Sequence, residues 1–269
     1  MEFETLRGII RNVIISATRV GEYIHIQSSK IQQSDIEFKG KNDLVSFVDK
    51  EAEKKLVHDL SHYLPNSGFL TEEETVEQIN KEYTWIIDPL DGTTNYLNGI
   101  PTYAISVALM HHKEVIGAVV YELGRKEMFH ALKGGGAFLN DSPIKVNASK
   151  DLGEVLVATG FPYTNFGNMK NFMSQLTYFI ENSRGVRRIG SAAVDLAYTA
   201  CGRFGMFFEQ GLAPWDVAAG TLLVTEAGGQ VSDFSNNDNY IFGGEILASN
   251  GLIHKKGSEV FKANVKVKS

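Results

Sequence analysis

From Phe3 to Ile26, apolar side chains recur at helical spacing through Leu6, Ile9, Ile10, Val13, Ile14, Ala17 and Val20. That stripe predicts an amphipathic helix with one face toward a core, and Gly21 is its weak point. The stretch from Gln27 to Asn42 is rich in Ser, Gln and Lys and reads as a mobile connector. Ser46 to Tyr63 predicts a second helix, with Asp49 and Glu51 in its early part, where the helix dipole favours acids. Pro65, Asn66 and Gly68 end it.

The period then changes. Tyr83 to Asp88, Tyr103 to His111, Val115 to Glu122 and Glu127 to Ala131 are short β-rich runs broken by turn residues. Their close spacing predicts an antiparallel sheet, because parallel pairing needs long crossovers. His112 with Lys113 supplies a hairpin connection, and Gly134, Gly135 and Gly136 a flexible turn. His111 and His112, adjacent at a strand end, are expected to point apart and to be structural or surface residues.

After Asp141 the pattern restarts with a strand near Val155 to Thr159 and helices near Met169 to Asn182 and Ser191 to Cys201. A strand at Met206 to Glu209, a helix at Trp215 to Ala227 and strands at Gln230 to Asp233 and Glu245 to Ser249 follow. The simplest partition is two α/β halves, residues 1–140 and 141–269, that share one cleft.

Composition narrows the function. A net charge of −6 leaves no general basic footprint, so direct nucleic-acid binding is not expected. The single cysteine, Cys201, excludes an intramolecular disulfide and a Cys-cluster zinc site; a small buried hydrophobe is its expected role. The longest apolar stretches, such as Val115 to Val120, are too short to span a bilayer, and the first residues lack a signal-peptide layout. A cytoplasmic protein without membrane association is the expectation.

The chemistry concentrates in Trp85-Ile86-Ile87-Asp88-Pro89-Leu90-Asp91-Gly92-Thr93-Thr94-Asn95. An apolar strand delivers Asp88, Pro89 fixes the next dihedral, and Asp91 and Gly92 turn the chain. Two carboxylates so placed repel one another and call for a cation; oxygen-only ligands suit Mg²⁺. The alternative is a turn in which Asp88 or Asp91 caps the following helix. Glu72, Glu73 and Glu74 read locally as a solvated acidic loop. Asp216, after Ala213-Pro214-Trp215, reads as a plain helix cap.

Together, Trp85 to Asn95, the acidic run before it, and Pro214 to Gly220 with Thr225 to Gly229 resemble the inositol monophosphatase family. That family belongs to the lithium-sensitive, Mg²⁺-dependent phosphatases, with fructose-1,6-bisphosphatases and nucleotide 3′-phosphatases. The resemblance runs from about Asp43 to Ser249. It implies an αβαβα layered fold with a metal-binding N-terminal half and a substrate-binding C-terminal half. It also implies a dimer, two to three Mg²⁺ ions and inhibition by Li⁺.

By the same resemblance, Glu72, Asp88 and the Leu90 carbonyl look like ligands of a first metal. Asp88, Asp91 and Asp216 look like those of a second, with Glu72 near a weaker third. Asp49 and Thr93 match a pair that orients the attacking water, and Glu73 matches a supporting acid. The family usually has Gly before its Glu pair, whereas this chain has Thr71, so the register could be Glu73–Glu74 instead of Glu72–Glu73. The separation from Leu70 favours Glu72–Glu73.

On the substrate side, the resemblance implies substrate binding by Asp91, Gly92, Thr93, Ser191, Ala192 and Glu209: the turn from Gly190 to Ala193 matches one beside the sugar ring, and Glu209 matches a hydroxyl-binding acid. Arg187, Arg188, Lys39 and Lys41 either meet an anion or face solvent. The expected reaction is hydrolysis of myo-inositol monophosphate or a related small polyol phosphate. NADP(H) and fructose 1,6-bisphosphate are the alternatives, as is a regulatory binding role through a protein surface.

Overall fold

The stripe that begins at Leu6 is buried in α1 (Phe3–Ser28) except at the half-buried Ile14, and the helix packs beside α2 (Phe47–Tyr63). The computed structural model describes residues 1–30, 36–40, 43–161 and 169–262. Ser46 caps α2 by accepting from the Val48 N–H, and Asp49 reaches back to the Ser46 N–H, so both ends of the first turn are satisfied. Both helices cover one face of a seven-stranded sheet.

That sheet runs in chain order through β3 (Gly68–Thr71), β4 (Tyr83–Asp91), β5 (Ala104–His111), β6 (Glu114–Glu122), β7 (Glu127–Leu132), β8 (Gly136–Leu139) and β9 (Ser142–Pro143). Every neighbouring pair is antiparallel except β3 and β4, which run parallel. A short helix, α3 (Thr93–Leu97), leaves β4. The interior of β4 is buried on both faces, as its nearly unbroken apolar run requires. Trp85 and Ile87 meet α1 and α2, whereas Ile86 faces the other way.

The second sheet holds β10 (Leu156–Thr159), β11 (Gly185–Arg187), β12 (Met206–Gln210), β13 (Gln230–Ser232) and β14 (Glu245–Ser249) in the order β11-β10-β12-β14-β13. β10 runs parallel to β11 and β12, and the remaining pairs are antiparallel. Helices α5 (Ala192–Ala200) and α6 (Pro214–Glu226) fill the space between the sheets. Their small side chains allow close approach: a Cβ on Gly220 would sit 2.4 Å from the Leu196 Cβ. On the far face, α4 (Met169–Asn182) and α7 (His254–Lys262) bury Phe172, Phe179 and Val260 against Met206 and Phe208. The layers are therefore helix, sheet, helix, sheet, helix, the αβαβα arrangement that the resemblance implies.

Two expectations need correction. Part of the stretch read as a mobile connector is a ribbon, in which β1 (Ile36–Gly40) pairs antiparallel with β2 (Asp43–Ser46). The alternation of Ile36, Glu37, Phe38 and Lys39 carried that signal beneath the polar composition; Lys41 lies outside the described residues. His111 and His112 do not point apart. His112 has φ +55°, which breaks the strand alternation and brings the two rings to 4.4 Å between centroids. His111 also stacks on Tyr83, and one ligating atom from each of Glu82, His111 and His112 lies within 4.8 Å of the others at the surface. Cys201 is half-buried at the end of α5, where burial pushes its thiol pKa up. Among the described residues, no helix is long and apolar enough to cross a membrane.

Candidate active site

In an unbroken strand, side chains three residues apart face opposite sides. β4 escapes this rule by a bulge: Asp88 pairs with Ser106 and Asp91 with Ala104, so three steps on one strand answer two on its neighbour. Both aspartates therefore share the face of Ser106 and Ala104, the face covered by α6. Pro89 sits inside the irregularity, where no ladder donor is needed. Gly92, at φ +92°, then turns the chain into α3.

Two other elements bring acids to the same place. β3 pairs Thr71 with Ile87, and the Glu72 N–H donates to the Ile87 carbonyl at 3.2 Å, which sets Glu72 beside Asp88. The Glu72 and Asp88 carboxyls are in hydrogen-bond contact. Glu74 is exposed, at φ +50°. From the other half, Ser106 Oγ donates to the Trp215 carbonyl at 3.1 Å and ties the start of α6 to β5. Asp216 is in that first turn. Its Oδ2 accepts from the Ala213 N–H at 2.7 Å, a capping contact made from the N3 position, with Ala213 and not Asp216 at the N-cap that the sequence suggested. It does not exclude a second role: single oxygens of Asp88, Asp91 and Asp216 lie within 4.8 Å of one another.

The electrostatics follow from this crowding. Burial, followed by the charges of Glu72, Asp91 and Asp216, holds the Asp88 pKa well above the usual carboxylate range. Asp216 is raised for the same reasons, burial first and then Asp91 and Glu72. Burial pushes Asp91 up to about 6, against the hydrogen bonds of Ser191, Ala193 and Ala192 and the charge of Arg188. Asp88 and Asp216 are thus raised by neighbouring acids as well as by burial, a crowding of carboxylates that favours a cation.

Two groups of residues flank the acids. Thr93 Oγ1 lies 3.0 Å from Asp49 Oδ1 and 2.9 Å from the Leu90 carbonyl, and its one proton serves one of them at a time. Asp49 is buried, which raises its pKa, and takes donors from the Ser46 N–H and hydroxyl through Oδ2. Opposite, the Ser191 hydroxyl and the Ala193 N–H both donate to Asp91 Oδ2, so the start of α5 grips this aspartate. Ser191 also caps α5 through the Val194 N–H. Asn95 Nδ2 adds a bond to the Ile189 carbonyl at 2.7 Å.

Glu209, on β12, is buried, and burial followed by the charge of Asp91 pushes its pKa up to about 8. Gly160 makes room for it: a Cβ there would lie 1.9 Å from Glu209 Oε1. Asp195 is a further buried acid on α5, raised well above its ordinary range by burial and then by Glu209.

Sequence reasoning missed several residues of this site. Ser106, Asn95, Gly160 and Asp195 carry no motif of their own, although Asn95 closes the Trp85–Asn95 segment. Glu53 was also missed; it follows Asp49 by one helical turn, and the paired acids at that spacing were the available signal. Thr71, which stands where the family usually has Gly, is fully buried and donates from Oγ1 to Glu53. Its side chain has local work that a glycine could not do.

Residues 6–266 match the family model described as the inositol monophosphatase family. The chain is 40% identical over 258 residues to an inositol-1-monophosphatase of Rhizobium meliloti, covering 95% of this chain and 97% of that protein. It is 42% identical over 218 residues to the Nus factor SuhB of Escherichia coli K12, covering 81% and 82%. The solved structure of the extragenic suppressor protein suhB from Bartonella henselae superposes with a TM-score of 0.90 at 36% identity, over 95% of this chain and 98% of that one.

Proposed function

Because the chain belongs to the inositol monophosphatase family, we propose that it is a Mg²⁺-dependent phosphomonoesterase. Its substrate in this reading is myo-inositol monophosphate or a related small polyol or sugar phosphate. The observation that carries the proposal is the meeting of Asp88, Asp91 and Asp216 oxygens within 4.8 Å, with Glu72 against Asp88.

A donor set made only of carboxylates, mutually repelling and partly buried, fits a hard divalent cation. Glu72, Asp88, Asp91, Asp216 and the Leu90 carbonyl are the groups that would hold Mg²⁺. Bound there, Mg²⁺ supplies positive charge against the phosphate oxygens and the leaving oxygen and lowers the pKa of water.

The chain's own residues account for the rest. Thr93 donates its hydroxyl proton to Asp49, which leaves its oxygen lone pairs to accept a proton from the attacking water. The Ser46 N–H and hydroxyl hold the Asp49 carboxylate in place for this exchange. Ser191 and Ala193 orient Asp91 from the far half of the chain. Glu209, set back in the C-terminal half, accepts or shares hydrogen bonds with ring hydroxyls. No phosphoenzyme nucleophile is needed, because positioning and charge neutralisation supply most of phosphoryl-transfer catalysis.

A second reading is favoured by the relatives that carry the name Nus factor SuhB. In it, the chain also serves as a regulatory binding protein through its surface, independent of turnover. Phosphate release from inositol monophosphate, NADP⁺, fructose 1,6-bisphosphate and nucleotide 3′-phosphates, with Mg²⁺ and with chelator, tests the first reading. Mg²⁺-dependent release, fastest from inositol monophosphate, is the expected result. No release from any of them would leave only the binding role.

A further inference from the structure

We propose that Glu53 is a positioning residue that sets the divalent-cation affinity of the site by clamping the segment that carries Glu72. The proposal rests on the reading of Glu72 as a cation ligand.

Glu53 is fully buried on α2. Its Oε1 accepts the Thr71 hydroxyl at 2.9 Å, the Thr75 hydroxyl at 2.7 Å and the Thr75 N–H at 2.8 Å. Its Oε2 accepts the Glu73 N–H at 2.7 Å. Three donors crowd Oε1 and one meets Oε2, so four donors converge on a single acceptor-only group. The donors come from both sides of Glu72: Thr71 before it, Glu73 and Thr75 after it. Glu72 itself is bonded through its N–H to Ile87 of β4. The Glu72 backbone is thus held between the sheet on one side and the Glu53 carboxylate on the other.

Further along, the segment is tied back to β3 by a two-way backbone bridge between Phe69 and Ile79. It leaves β3 at Thr71, passes Glu74 in the left-handed region at φ +50°, and forms no further strand or helix before β4. Gln78 contributes by accepting the Thr71 N–H at 2.8 Å and donating to the Thr71 hydroxyl at 3.0 Å. This explains why a threonine is used at position 71. Its hydroxyl passes the Gln78 contact on to Glu53, so the loop and α2 are joined through one side chain.

The clamp depends on an acceptor-only group. In Glu53→Gln the shape is kept, but one oxygen becomes an NH₂ that cannot accept. The orientation that keeps the carbonyl oxygen at the three-donor position turns the NH₂ against the Glu73 N–H, donor against donor. The peptide that follows Glu72 must then shift, while the carboxylates on β4 and α6 keep their own partners.

The test is calorimetric Mg²⁺ binding to the full chain and to Glu53→Gln, well below the unfolding temperature of both, with the metal-free melting point measured alongside. The expected result is a Kd weakened about 10-fold or more, the effect of losing one hydrogen bond to a charged group. Turnover should recover at high Mg²⁺, as a rise in the Mg²⁺ requirement with kcat largely kept. A folded variant that binds Mg²⁺ as the unmodified chain does, with only its melting point lowered, would overturn the proposal. If Glu53→Gln does not fold, Thr75→Val removes one hydroxyl donor and leaves the carboxylate. It should weaken Mg²⁺ binding about 3-fold or more, and unchanged affinity would be equally decisive against the clamp. Failure of the unmodified chain to bind Mg²⁺ would instead sink the cation reading itself.

Discussion

Ser191 Oγ donates to Asp91 Oδ2 at 2.5 Å across 100 positions of sequence, and with the Ala193 N–H it pins an acid of the first sheet to the start of a helix in the second half. The same hydroxyl accepts from the Val194 N–H and caps α5. Ser191→Ala should therefore cost about 1 kcal/mol in denaturant unfolding through the lost cap. It should lower Mg²⁺-dependent kcat/KM by about 10-fold, beyond what that stability loss explains. Unchanged kcat/KM in the folded variant would show that Asp91 does not need this donor.

Glu72 and Glu74 are two residues apart and differently placed. Glu72 lies against Asp88, whereas Glu74 is exposed in the left-handed region. Glu72→Gln is expected to raise the Mg²⁺ concentration needed for half-maximal activity by about 10-fold or more. Glu74→Gln should change it by less than about 2-fold. A titration of activity against Mg²⁺ decides the matter, and the reverse ranking would move the ligand along the loop.

Much of this arrangement is legible in the sequence because periodicity and turn residues agree there. The stripe from Leu6 to Val20 gives α1, and the run from Trp85 to Asp88 gives a strand that delivers an acid. Other parts are not legible, for identifiable reasons. β3 is four residues long, too short for any period to show, and only its parallel pairing with β4 brings Glu72 to Asp88. The bulge that puts Asp88 and Asp91 on one face is a property of two strands in register, and the β4 sequence contains only the proline that tolerates it. Asp216 reads as an N-cap but stands at N3, three residues after the Ala213 N-cap; its place among the other acids comes from the packing of α6 on β5. His112 misled because a left-handed backbone at a non-glycine residue overrides the alternation of a strand.

Glu209 supplies a test of selectivity. It is buried after the apolar run Met206 to Phe208, in space left by Gly160. With its pKa pushed up to about 8, Glu209 is mostly protonated near neutral pH. A hydrogen bond between uncharged groups contributes roughly 0.5–1.5 kcal/mol, so Glu209→Ala should lower kcat/KM for inositol monophosphate by about 2- to 10-fold. Hydrolysis of p-nitrophenyl phosphate, which has no ring hydroxyls, should change little. Equal losses on both substrates would assign Glu209 to the fold or the cation site.

His254 gives the fold a pH dependence separate from catalysis. The ring is 1% exposed, between the hydroxyls of Ser249 at 2.9 Å and Ser232 at 3.0 Å, and burial pushes its pKa down to about 4 from 6.5. Between those values the unfolded chain takes up a proton that the folded chain refuses. Stability therefore rises with pH through this window and is lost as pH falls from about 6.5 to about 4, by at most roughly 3 kcal/mol. Urea unfolding at several pH values should show a shallower slope over this window for His254→Gln than for the unmodified chain. Parallel slopes would remove His254 as the source.

The central claim is that the buried acids from the two halves hold the cation on which phosphate hydrolysis depends. Asp88 is the most enclosed of them and faces Glu72, Asp91 and Asp216 together. The most direct measurement is phosphate release from inositol monophosphate by Asp88→Asn across a Mg²⁺ titration, paired with calorimetric Mg²⁺ binding to the same protein. The account predicts that the variant stays folded, binds Mg²⁺ far more weakly and turns over at least about 100-fold more slowly at every Mg²⁺ concentration. Asp88→Asn with unchanged Mg²⁺ affinity and unchanged turnover would contradict it.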